Sequence, residues 1–190
     1  MQSYDLVGSR LFTIPELYSY SSHVRRNFAE KLVELPVDVV GKNREASFYT
    51  MKNIIVHMID NEDWIVNWVI HGKSREYVRK KSEAHTDMTQ VLQHLDEVED
   101  KTRSFLKTAS ENEFNRRIDF TLSSGKTFNL SVEECLFESF TAQLYHMGEL
   151  IALLWQENIE PPRMQWFWNN PRDAGQSETG PMTRLGTRLL

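Results

Sequence analysis

One stretch of this chain constrains its fold more than any other. From Leu136 to Trp155, apolar residues return every three or four positions, as Leu136, Phe137, Phe140, Leu144, Met147, Leu150, Ile151, Leu154 and Trp155, with no proline among them. That spacing is one face of an α-helix, and a helix so apolar is not stable alone in water, so other helices must cover it. Three further segments carry the same period. The first, from about Pro15 to Leu35, lines up Leu17, Tyr18, Val24, Phe28 and Leu32 and is stopped by Pro36; Thr13 and Glu16 have capping-box spacing at its start. The second, from about Ala46 to His71, carries Ile54, Ile55, Met58, Ile59, Ile65, Val66 and Val69 and leaves through Gly72. The third starts near Thr86 and runs through Met88, Val91, Leu92, Leu95, Val98, Phe105 and Leu106.

The stretches between these segments read differently. Lys73, Arg75, Arg79, Lys80 and Lys81 lie between Gly72 and Ala84 with few apolar residues, the composition of a solvated linker. From Arg117 to Leu130 the period drops to two: Ile118, Phe120 and Leu122, then Phe128 and Leu130, flank the turn Ser123-Ser124-Gly125-Lys126, which predicts a small β-hairpin. Ser131-Val132-Glu133-Glu134 is a second capping box and opens the fourth helix, which ends before Pro161-Pro162. Beyond Arg163, an aromatic group of Met164, Trp166, Phe167 and Trp168 precedes a stretch from Asn169 to Gly186 rich in Pro, Gly, Asn, Ser and Thr. The expected organisation is an all-α four-helix bundle over residues 1–162, with a hairpin before its fourth helix, and an irregular extension over 163–190.

A net charge of −5 argues against nucleic acid or anionic lipid as partner. No apolar run approaches the ~20 residues that span a bilayer, and Met1 to Arg10 lacks the pattern of a signal peptide. The single cysteine, Cys135, allows no internal disulfide; the expected location is the cytoplasm. Cys135 itself reads as a small buried thiol rather than a nucleophile. Phosphate-binding loops, dinucleotide fingerprints, His-Glu-x-x-His and the Gly-x-Ser-x-Gly elbow are missing from the sequence.

Of six histidines, only His57 and His146 fall inside strongly apolar helical segments; His23, His71, His85 and His94 sit on polar faces, at helix ends or in loops and are expected at the surface. A single core-facing imidazole is usually satisfied by one neighbour, but two on facing helices can converge on a metal ion. Asp60 and Asn61 share the face of His57, and Ala142 and Glu149 that of His146. No histidine has a glutamate three residues before it, which excludes a ferritin-like di-iron site. Gly148 is expected to allow a close approach of the second helix, and Trp64, Trp68 and Trp155 are expected in the core.

The run His57-Met58-Ile59-Asp60-Asn61-Glu62-Asp63-Trp64 resembles the second-helix signature of the DinB/YfiT-like proteins. Gln143-Leu144-Tyr145-His146-Met147-Gly148-Glu149, with Glu160-Pro161-Pro162 closing the helix, is similar to that family's fourth-helix segment. The resemblance covers Pro15 to Pro162 in order and spacing. It implies an up-down-down-up four-helix bundle, often a homodimer, holding a divalent metal through one histidine of helix two and two of helix four. It further implies metal-dependent hydrolysis or S-transfer on a small-molecule substrate, with a low-molecular-weight thiol such as bacillithiol or mycothiol as cosubstrate. The ion, nickel or zinc, would make a nucleophile of the thiol or of water. This chain departs from the pattern at Ala142, where the family's second helix-four histidine stands. Glu149 and Asp60 are the carboxylates whose helical phase lets them complete a set with His57 and His146. The departure leaves a second reading open: a metal-free small-molecule-binding or dimeric interaction protein.

Overall fold

The computed structural model describes residues 12–79, 82–122 and 124–169. In chain order its elements are α1 (Ile14–Val33), α2 (Val37–Gly41), α3 (Met51–Trp64), α4 (Met88–Thr108), α5 (Glu111–Asn115), β1 (Arg117–Thr121), β2 (Thr127–Ser131) and α6 (Val132–Gln156). The four long helices carry the core: α1 packs chiefly on α6 and α4, and α3 chiefly on α4 and α6. Residues 1–11, Lys80, Lys81, Ser123 and 170–190, which include most of the extension expected beyond Arg163, lie outside the described residues.

The helix starts follow local chemistry. Thr13 and Glu16 form the capping box of α1, and Ser131 and Glu134 that of α6. Thr50 caps α3 by accepting from the Asn53 amide at 3.1 Å, and Asp87 caps α4 by accepting from the Gln90 amide at 3.0 Å. α3 thus starts five residues later than the apolar period suggests, because Thr50 stops the helix there. It then passes into one π-helical turn, Ile65–Val69, before Gly72 exits at φ 72°. The hairpin pairs Phe120 with Phe128 in antiparallel register and turns through Gly125 at φ 84°, burying Ile118 and Phe120.

The apolar core comes as two clusters. One joins Val24, Phe28 and Leu32 of α1 with Met51 to Ile59 of α3, Val91 to Val98 of α4 and Met147 to Leu154 of α6. The other joins Ile14 and Tyr18 with Ile65, Val69, the hairpin and Leu136 and Phe140. Between them lies a buried polar layer to which every long helix contributes. Arg25, wholly buried, donates through Nη1 to Glu62 Oε2 at 2.6 Å and through Nη2 to Glu99 Oε1 at 3.1 Å. Thr102 donates to Glu62 Oε1 at 2.7 Å, and the Gln143 amide to Glu62 Oε2 at 2.9 Å. Tyr18 donates its hydroxyl to the Glu99 carbonyl at 3.4 Å.

A shared guanidinium makes this burial tolerable. Burial alone would raise the Glu99 carboxyl, but Arg25 and Arg26 beside it hold it below the ordinary glutamate value. Burial likewise opposes the charge of Arg25, and Glu62 and Glu99 more than offset that.

The connector after α3 is not wholly solvated. Val78 is exposed, but Tyr77 packs on Trp68 and donates to Asp60, so part of this segment is pinned to α3. Trp64, Trp68 and Trp155 are half-buried rather than core. Two other surface assignments fail: His85 and His94 are buried and stacked, with centroids 5.1 Å apart, because the loop carrying His85 folds over the polar-looking side of α4. The aromatic group after Arg163 folds back, Trp166 packing on Phe12 and Tyr20. No described helix is long and apolar enough to cross a membrane.

Arg25→Met would leave two buried carboxylates without their common cation, and urea unfolding should show a loss of about 3–5 kcal/mol. Because Glu99 titrates lower in the folded chain than unfolded, its contribution is complete above the ordinary value of 4.5 and disappears as pH falls through its folded pKa. Glu99→Gln should flatten that acid limb of the stability curve, and an unchanged slope would count against the layer's charge state.

Candidate functional site

α3 and α6 present His57 and His146 to each other. The imidazole centroids are 4.9 Å apart and their planes stand at 84°. A turn over residues 42–50 closes above them: Phe48 stacks on His57 at 3.8 Å between centroids and meets the edge of His146 at 5.4 Å. This turn is irregular, with Glu45 and Tyr49 both in the left-handed region at φ 55° and 67°, a conformation non-glycine residues adopt only when held there. Its restraints are visible. Ser47 donates its amide to Glu149 Oε1 at 2.7 Å and its hydroxyl to Oε2 at 2.6 Å, and Arg44 pairs with Glu157 at 2.9 Å.

Glu149 also reaches back to the pair, its Oε2 lying 3.5 Å from His146 Nδ1. Partial burial would raise this carboxyl, but the two Ser47 donors and His146 hold it below the ordinary range. It therefore links the turn to the histidine, in the position from which a carboxylate fixes the orientation of an imidazole. Asp60 points elsewhere. It accepts from the Tyr77 hydroxyl at 3.3 Å and lies 3.8 Å from Arg79. Gly148 has open space where a side chain would sit, so it does not mark a close helix contact as expected; its face of α6 is uncovered.

Burial, followed by the proximity of His146 and of Arg79, pushes His57 down to about 4, against a smaller opposing effect of Glu149. The ring is neutral at pH 7, and its Nδ1 is buried without a protein partner. A neutral imidazole with an unused nitrogen, facing a second imidazole, is the donor chemistry of a divalent transition-metal ion. The set is short by one: among the described residues no three His, Cys, Asp or Glu side chains gather at one point, and Ala142 offers no donor. His57 and His146 would therefore supply two nitrogens to such an ion. Cys135 takes no part; it is buried, and burial raises its thiol to about 11.

Sequence periodicity located the two histidines and Glu149 but missed Ser47 and Phe48, which it assigned to the start of a helix. The clue was Thr50, a capping residue followed by a sustained apolar period.

Comparison with known proteins gives a consistent result. The model of the DinB family matches residues 3–176. Among solved structures, a DinB-like protein from Bacillus cereus ATCC 10987 superposes with a TM-score of 0.60 at 12% identity, over 79% of this chain and 94% of the other. A DinB-like protein from Bacillus subtilis superposes with a TM-score of 0.61 at 18% identity, over 80% of this chain and 96% of the other. At such identities the likeness is one of fold. A comparison with curated proteins gives no match.

The His57 ring should titrate near 4 by NMR, and a midpoint near the ordinary 6.5 would show that it is not enclosed as placed. Glu149→Ala should strip the Ser47 amide of its protection from hydrogen exchange, while protection within α3 persists.

Proposed function

Because the chain belongs to the DinB family, we propose that it is a metal-dependent enzyme acting on a small molecule, with Ni²⁺ or Zn²⁺ held by His57 and His146. The reaction class is hydrolysis or transfer of a low-molecular-weight thiol, carried out in an up-down-down-up bundle that pairs as a homodimer. The observation that supports this reading is the facing pair of imidazoles, one of them neutral with a buried free nitrogen. A bound ion would supply Lewis-acid chemistry, lowering the pKa of a thiol or of water toward neutrality.

The chain's own residues would do the rest. Phe48 shields one face of His57 from water. Glu149 holds His146 in place and ties the turn above it. Arg79, whose charge is felt at His57, would draw an anionic nucleophile or substrate toward the pair, and Asp60 keeps that arginine near.

Ala142 favours a second reading, in which the chain binds a small molecule or a second copy of itself without metal. Elemental analysis of protein purified without chelators separates the two. At a hundredfold excess over Kd, Ni²⁺ or Zn²⁺ should raise the Tm by about 5–10 °C. His57→Ala and His146→Ala should each abolish that rise, and Ala142→His should enlarge it. A parent protein that neither carries nor responds to either ion supports the second reading, and two alanine variants that respond like the parent overturn the assignment.

A further inference from the structure

The seam between α1 and α4 shares no helix with the seam that holds the histidines, and it opens into a cavity of about 500 Å³. Two helical stripes wall it: Tyr18, Ser22 and Arg26 from α1, and Glu99, Arg103 and Lys107 from α4. At its floor Glu99 is over-neutralised. Its Oε1 takes Arg25 Nη2 at 3.1 Å, and its Oε2 takes both Arg26 Nη2 at 2.7 Å and Arg103 Nη1 at 3.0 Å.

Three guanidinium groups thus meet Glu99, of which Arg25 is shared with Glu62, and Lys107 adds a fourth cation at the wall, in a chain whose net charge is −5. Asp96 and Asp100, the outer partners of Arg26 and Arg103, are 59% and 77% exposed and do not line the cavity, whose charged lining is Arg26, Arg103 and Lys107 against Glu99. A concave site with surplus positive charge over a buried floor concentrates anions. Its apolar surface is supplied by the Tyr18 ring, Pro15 and Leu106, and Ser19 and His23 complete the lining.

We infer that the α1/α4 cavity binds a small organic anion, its carboxylate against Arg26, Arg103 and Lys107 and its apolar body against Tyr18, Pro15 and Leu106. The site is independent of the histidine pair and of any metal there. Both the charge and the apolar wall are required, so a purely inorganic anion would bind poorly.

Calorimetric titration of the full chain with 1-naphthoate, and with its neutral counterpart 1-naphthamide, tests this. Naphthoate should bind at one site per chain and naphthamide at least about tenfold more weakly. Arg103→Glu and Lys107→Glu, both at exposed positions, should each weaken naphthoate about tenfold or more and leave naphthamide unchanged. Ser19→Trp, which fills the cavity from its exposed rim, should block both probes. His57→Ala should bind naphthoate like the parent. Absence of binding, equal affinity for the two probes, indifference to both charge reversals, or loss of binding in His57→Ala would each overturn the inference.

Discussion

The burial of a single guanidinium sets the terms for the rest of the fold. Arg25 is wholly buried, and its charge is tolerable only while Glu62 of α3 and Glu99 of α4 are both within reach. Glu62 in turn gathers Thr102 of α4 and Gln143 of α6, so all four long helices are tied at one level. Apolar stripes alone permit helices to slide or rotate with little change in buried area. A slip that would cost an apolar interface little would here break charged hydrogen bonds between buried groups, which fixes rotation and height together.

The histidine pair benefits from that fixation. His57 is five residues before Glu62 and His146 three residues after Gln143, so the contact between Glu62 and Gln143 aligns the same two helices that carry the imidazoles. The Glu149 carboxylate adds a second level of order by joining His146 to the turn above it. The site is therefore assembled from one layer below that is rigid and charged and one layer above that is irregular and held by a few polar contacts.

How much of this was legible in the sequence follows from how local each feature is. The capping boxes at Thr13 and Ser131, the hairpin and the four apolar stripes depend on residues within a few positions of one another, and they are where the pattern puts them. The polar layer spans separations of 37 to 81 residues, and a charged residue within a helix reads as solvent-facing. The signal was nevertheless present: Arg25 lies next to Val24 and three residues before Phe28, and Glu62 stands midway between Ile59 and Ile65, so both occupy core phases. His85 and His94 were misplaced for the converse reason, since the loop that covers them has no periodic pattern to announce it. Family likeness supplied what local physics did not, namely that the two histidines face each other.

The turn over residues 42–50 has a consequence for how such a site changes over time. The cover over the two imidazoles is encoded in the least patterned stretch of the chain, whose Ala46 and Phe48 pack on the margin of one apolar cluster. Replacing Phe48 or reshaping the backbone around Tyr49 would change what lies over the imidazoles while the Thr50 cap still starts α3. The lining over the imidazoles and the packing of the four long helices are thereby encoded largely in separate stretches of the chain, which allows one to drift while the other is preserved.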